Sequence, residues 1–133
     1  MIEAIDHVVL YSGDSEATIA FYRGVLGCTI ELEDEWRAGR MPVFRLRFAP
    51  GHYVNVHPSG AVLTPRAAAP APGGLDICFR SPLASSEVAE RFAGHGVAVE
   101  VGPVPRRDAL GHESVSLYVR DPDGNLVEVM SEH

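Results

Sequence analysis

A few side chains able to bind a metal ion or move a proton stand within apolar, β-branched segments: His7, Asp76, Glu128, and the neighbours Asn55 and His57. In a strand, residues i and i+2 share a face. In Tyr53–His57, Val54 and Val56 point one way while Tyr53, Asn55 and His57 point the other. Asp76 alternates with Leu75 and Ile77, and Glu128 with Val127 and Val129. Imidazole and carboxylates converging on one point make a site for a divalent cation. The alternative is that these groups face solvent from a one-sided sheet. A carboxylate beside Leu126 and Met130 is costly unless paired or hydrated. A divalent ion would neutralise Glu128 and Asp76 while neutral His7 supplies a nitrogen. An arginine such as Arg45 or Arg47 would neutralise them equally well.

Other residues bear on substrate. Arg45 and Arg47 alternate with Phe44, Leu46 and Phe48, so one face of that strand is cationic. Facing a cleft, Arg45 would bind an anionic substrate; otherwise both are ordinary solvated arginines. Tyr118 shares a parity with Ser114 and Ser116 and is placed to orient a substrate or to form an amphipathic wall. Cys78 shares a face with Asp76, yet a lone strand cysteine reads as a small buried hydrophobe. Arg106, Arg107 and His112 fall in a polar loop over Pro103–Glu113. His52, His95 and His133 carry no assigned role.

The elements that must position these residues follow a repeated pattern. Strands are expected over Ile5–Leu10, Cys28–Glu33, Pro42–Phe48 and His52–His57, with a hairpin turn at Pro50-Gly51. Asp14 is a plausible N-cap for a helix with Ala17, Ala20, Phe21, Gly24 and Val25 on one face and Gly27 as its stop. Residues 58–74 are rich in proline, alanine and glycine and read as a linker or long loop. The pattern then restarts. Strands are expected over Leu75–Arg80, Val97–Val101, Ser114–Val119 and Asn125–Met130. A helix capped by Ser85 or Ser86 carries Val88, Ala89, Phe92 and Ala93. Asp121-Pro122-Asp123-Gly124 is a turn signal. The order is βαβββ, linker, βαβββ, with modules at about 1–57 and 75–133. An offset of 69 residues places His7 on Asp76, and one of 73 places Val54-Asn55-Val56 on Val127-Glu128-Val129. Such slowly drifting offsets fit an internal duplication.

Composition bounds the function. The chain has 133 residues, 46% of them hydrophobic, enough for one domain with a core. The formal net charge of -7 argues against a general nucleic-acid binder. All 11 basic residues are arginine, which excludes lysine Schiff-base and P-loop chemistry. No apolar run reaches a membrane span, and the N-terminus lacks a basic leader region. Two isolated cysteines, Cys28 and Cys78, predict neither a disulfide framework nor a thiolate metal knuckle. A reducing, cytoplasmic setting is expected.

IDHVVLYSGDSEATIAFYRGVLG near the start and SVSLYVRDPDGNLVEVM at the end resemble the vicinal oxygen chelate superfamily. That superfamily includes glyoxalase I, fosfomycin-resistance thiol transferases, extradiol dioxygenases and metal-free bleomycin-binding proteins. The resemblance covers nearly the whole chain and is closest to small stand-alone glyoxalase-domain proteins. It implies an α+β fold: two βαβββ modules in a single domain, forming an open, curled mixed-sheet barrel with helices outside. It also implies a homodimer acting on a small molecule, with no nucleic-acid or membrane partner. His7 matches the first-strand ligand of the first module, and Glu128 the last-strand ligand of the second. Asp76 stands where glyoxalase I and the fosfomycin enzymes have histidine. Asn55 stands where glyoxalase I has glutamate, with His57 two residues on. The implied ligand set is therefore His7, Asp76 and Glu128, with His57 in reserve. Mn, Fe, Zn or Ni would fit it. Glu128 doubles as the candidate catalytic group, and Tyr118, Arg45 and Asn55 as substrate-binding residues. The reaction would be that of a lyase, isomerase, thiol transferase or dioxygenase. A metal-free protein that sequesters an antibiotic-like compound is the alternative.

Overall fold

The computed structural model describes residues 1–132, so His133 lies outside the described residues. They fall into two compact units, Met1–Gly73 and a second that begins at Gly74.

The first unit is a four-stranded mixed sheet. Strands β1 (His7–Ser12), β2 (Thr29–Glu31), β3 (Phe44–Ala49) and β4 (His52–Pro58) lie in the order β1-β4-β3-β2. β1 and β4 run parallel, with His7 opposite Tyr53 and Tyr11 opposite His57. β3 and β4 form the antiparallel hairpin expected at Pro50-Gly51. Helix α1 (Ser15–Ile19) starts as predicted: the Asp14 carboxylate accepts from the Ala17 N–H at 3.1 Å. It continues as a π-helical turn, Ala20–Val25. Phe21 and Val25 of the expected face are buried, and the wider turn adds Tyr22 while Ala20 is exposed. Thr18 and Ile19 are buried just before it. The charged stretch around Trp36 is a short helix, α2 (Glu33–Arg37), which the sequence pattern did not reveal. Trp36 packs at 4.9 Å on Phe44, and Arg37, paired with Glu33 within α2, ties the helix to α1 through Glu16. The proline-rich segment after β4 returns onto this unit, with the Ser59 N–H donating to the Ser12 carbonyl at 2.8 Å.

The second unit repeats the plan in the order β5-β8-β7-β6. Its strands are β5 (Asp76–Ser81), β6 (Val101–Arg107), β7 (Glu113–Arg120) and β8 (Leu126–Ser131). β5 and β8 are the parallel pair. Helix α3 (Ser85–Gly94) buries Val88 and Phe92 as predicted. Its N-cap is Ala84 rather than a serine, and Glu87 accepts from the Ala84 N–H at 2.9 Å. The turn before β8 is a built element. Buried Asp121 accepts from the Asp123 and Asn125 N–H groups, and Asn125 accepts from the Leu75 N–H at 2.9 Å. That last bond fixes the start of β5 to the start of β8.

Strand β6 differs most from the sequence reading. It runs through residues taken as a polar loop, while Val97–Val99 lie outside any strand. β6 is the edge strand, the one place in a sheet where Pro103 and Pro105 cost no ladder hydrogen bond. A bulge between Val101 and Val104 lets it close on β7. Gly102 makes that approach possible. It sits at φ +120°, and a Cβ there would meet the Ser116 carbonyl oxygen at 2.5 Å. Gly102→Ala is therefore expected to lose about 2–4 kcal/mol in denaturant unfolding, from strain plus overpacking. Gly94→Ala, with nothing within 4 Å of the added methyl, should change stability by less than about 0.5 kcal/mol. Equal losses in the two variants would refute the close-approach account.

Candidate functional site

Each sheet has an apolar face and a mixed, polar one. Leu10, Leu46, Val54 and Val56 build the core side of the first. The registered neighbours His7, Tyr11, Tyr53, Asn55, His57, Arg45 and Arg47 share the opposite side. In the second sheet Leu117, Val119, Val127 and Val129 form the core side. Asp76, Cys78, Glu128, Met130, Ser116 and Tyr118 share the other.

On the first sheet the polar side chains are partly satisfied by one another. Arg47 pairs with Glu31 at 2.7 Å. The Arg45 guanidinium lies 5.9 Å from the Tyr53 ring centre, and exposed Arg45 has no carboxylate partner among the described residues. Its registered neighbour is Asn55. His7 is exposed, with Nδ1 2.6 Å from the Asp6 carboxylate. His57 is half-buried with the Tyr11 ring edge-on at 5.6 Å, and its Nδ1 is buried without a hydrogen-bond partner. Burial, and then the charge of His7, hold the His57 imidazole below its ordinary pKa. A neutral imidazole keeps a lone pair available at neutral pH.

On the second sheet Glu128 sits between two registered neighbours, Cys78 on β5 and Tyr118 on β7. Its Oε1 is buried without a hydrogen-bond partner, and so is the Ser116 hydroxyl. Cys78 is exposed on this face, which corrects its reading as a core hydrophobe. Partial burial, and next the charge of Glu128, push its thiol up to about 12. Asp76 is exposed, and its charge reaches both Cys78 and Arg120. Arg106, expected in a loop, is a β6 residue whose Nε–H donates to the Tyr118 hydroxyl at 2.9 Å. Prolines hid that strand, in which Val104 and Arg106 share one face opposite Ser116 and Ser114. His112 and Arg107 stay near the β6–β7 turn. His112 stands 3.0 Å from the Asp108 carboxylate, and Arg107 donates to the Gly111 carbonyl.

Each unit carries one buried atom without a partner of a kind that ligates divalent cations, His57 Nδ1 in the first and Glu128 Oε1 in the second. No group of three or more His, Cys, Asp or Glu side chains placed to hold an ion occurs among the described residues.

Two sheets of this order, each with a parallel outer pair and a polar face, define the class. The family model described as glyoxalase/bleomycin resistance protein/dioxygenase superfamily matches residues 4–129, and the chain belongs to that superfamily. Virulence protein STM3117 of Salmonella typhimurium is 36% identical over 97% of this chain and 84% of that protein. Its crystal structure matches at a TM-score of 0.87, covering 100% of this chain and 98% of that one. The glyoxalase domain-containing protein RDO1 of Mycosarcoma maydis is 35% identical over 98% of this chain and 69% of its own length. A lactoylglutathione lyase from Agrobacterium tumefaciens matches at a TM-score of 0.70 and 28% identity, over 98% of this chain and 95% of that one. These likenesses bear out the α+β fold class expected from the two motifs.

The Cys78–Glu128 contact is open to test. Exposed Cys78 should react with iodoacetamide at pH 8 at least about ten-fold more slowly than free cysteine, whose thiol ionises near 8.5. Glu128→Gln removes the charge that raises the thiol and should speed alkylation several-fold. A wild-type rate equal to that of free cysteine, unmoved by the substitution, would contradict the contact.

Proposed function

We propose that this protein is a divalent-metal-dependent enzyme acting on a small, oxygen-bearing substrate. The observation that carries this reading is Glu128: a carboxylate oxygen buried without a partner, on the face that also presents Tyr118. Evolution tolerates such a cost where a group is needed for chemistry. Its natural counterparts are a cation or a substrate proton.

The ligands in this reading are His7 and Glu128, with Asp76 as the third and His57 as the alternative. When bound, the ion supplies Lewis acidity for a developing enolate or oxyanion. The chain's own groups do the rest. Neutral His57 offers nitrogen without first losing a proton. The Glu128 carboxylate takes or returns a proton at the substrate carbon. Tyr118 donates a hydrogen bond to a substrate oxygen, and Arg45 and Asn55 bind its polar end. The lactoylglutathione lyase likeness supports an isomerase or lyase within this class. The protein works as a cytoplasmic homodimer of single-domain chains.

A second reading is favoured by one observation, the lack of an assembled three-ligand group among the described residues. It is a metal-free protein that binds a small molecule without transforming it. Metal analysis separates the two. Protein purified without chelator, then loaded with Mn²⁺, Fe²⁺, Zn²⁺ or Ni²⁺, should hold about one ion per chain and gain thermal stability. His7→Ala and Glu128→Ala should each lose at least ten-fold in metal affinity. Equal metal content and equal melting temperatures in all three proteins would replace the enzyme with the binding protein.

A further inference from the structure

We infer that Arg106 and Tyr118 form a recognition pair for the carboxylate of a small organic acid, placed so that the acid's neighbouring carbon or hydroxyl meets Glu128. This rests on the reading of the Glu128 face as the substrate-facing surface, and it names the substrate class.

The hydrogen bonding at Tyr118 sets the argument. A phenol hydroxyl has one proton to give and lone pairs to accept with. The Arg106 Nε–H donates to that oxygen at 2.9 Å, so the phenol proton is directed to another acceptor. No acceptor for it occurs among the described residues. The guanidinium is also anchored by its own backbone, Nη1 donating to the Pro105 carbonyl at 3.0 Å. Its Cζ lies 5.5 Å from the Tyr118 ring centre. Two of its five N–H donors are thus spent on holding its position. The others are unspent, and Arg106 forms no close ion pair among the described residues, feeling Glu128 only through its charge. A fixed guanidinium with spare N–H groups beside a phenol O–H is a donor pair of the kind that binds a carboxylate.

Arg107, Glu113 and Glu132 stand near Arg106 around a neighbouring open cleft that Tyr118 and Glu128 do not line. With these acids close by, a monoanion fits the local charge better than a polyanion. Tyr118 is the cross-strand partner of Glu128, so a ligand held by the phenol has its next atoms beside an unpartnered carboxylate oxygen. That carboxylate repels the ligand's own carboxylate and accepts a hydrogen bond from its adjacent hydroxyl. The preferred ligand is therefore a 2-hydroxy acid. In this pair Arg106 is also a positioning residue, since it turns the phenol proton outward.

The probe is lactate, with lactamide as its neutral counterpart. Lactate is titrated into the protein as purified, and the Arg106 Nε–H cross-peak is followed by NMR, assigned by its loss in Arg106→Lys. Metal content is measured on the same samples. Lactate should shift that peak saturably, and lactamide should not. Tyr118→Phe should weaken lactate binding roughly ten-fold, the effect of one hydrogen bond to a charged group. It should also shift the Arg106 Nε–H peak before any ligand is added, a signature that simple loss of packing would not give. Arg106→Gln should abolish binding, read from backbone amides of β7, while Arg106→Lys keeps part of it. All variants should retain the wild-type metal content, so failure here is distinct from failure of the metal reading. Lactate affinity unchanged in Arg106→Gln and Tyr118→Phe, or equal affinity for lactamide, would overturn the proposal.

Discussion

The fold depends on one constraint: in each unit the first and last strands pair in parallel, and the two-residue alternation must stay in register across that pair. β1 against β4 and β5 against β8 set which residues reach the core. A slip of one residue would exchange Val54 and Val56 for Asn55 and His57, and Val127 and Val129 for Glu128 and Met130. The core and the polar face are thus fixed by the same pairing. The register is secured at its ends by side chains, and most clearly by Asn125, which joins the Leu75 amide to the Asp121 turn.

That division of labour explains the cost carried on the polar faces. The apolar sides are complete, with Leu46, Val56, Val119 and Val127 fully buried. The polar sides hold groups that stability alone would not select. An unpartnered buried carboxylate oxygen, hydroxyl or imidazole nitrogen each costs about 1–3 kcal/mol. Glu128, Ser116 and His57 all fall in this set, on faces the core does not need. The ion pairs Arg37–Glu33, Arg40–Glu35 and Arg120–Glu100 are exposed and contribute little by comparison.

Much of this was legible in the sequence, because alternation is a local property. The parities of His7, Asn55, Asp76 and Glu128 follow from their apolar neighbours, and Asp14 and the Pro50-Gly51 turn follow from local chemistry. What stayed hidden depends on tertiary context. The π-helical turn that buries Tyr22 and leaves Ala20 exposed has no periodic trace. Helix α2 is five residues long and mostly charged, and it is held by Phe44 and the Arg37 bridges rather than by its own pattern. β6 is obscured by two prolines that only an edge position permits, and with it went the link from Arg106 to Tyr118. Cys78 was misjudged because its neighbour Glu128 lies 50 residues away in the chain and beside it in the sheet.

The central claim is that the Glu128 face is kept for binding at the expense of stability. The most direct measurement is the unfolding free energy of chelator-treated Glu128→Met, which fills similar volume without the charge. Without metal or ligand, the variant is predicted to be as stable as the wild type or more so, by up to about 1–3 kcal/mol, because the unpartnered oxygen is gone. A loss of about 1 kcal/mol or more would mean that Glu128 supports the fold, and would contradict the account.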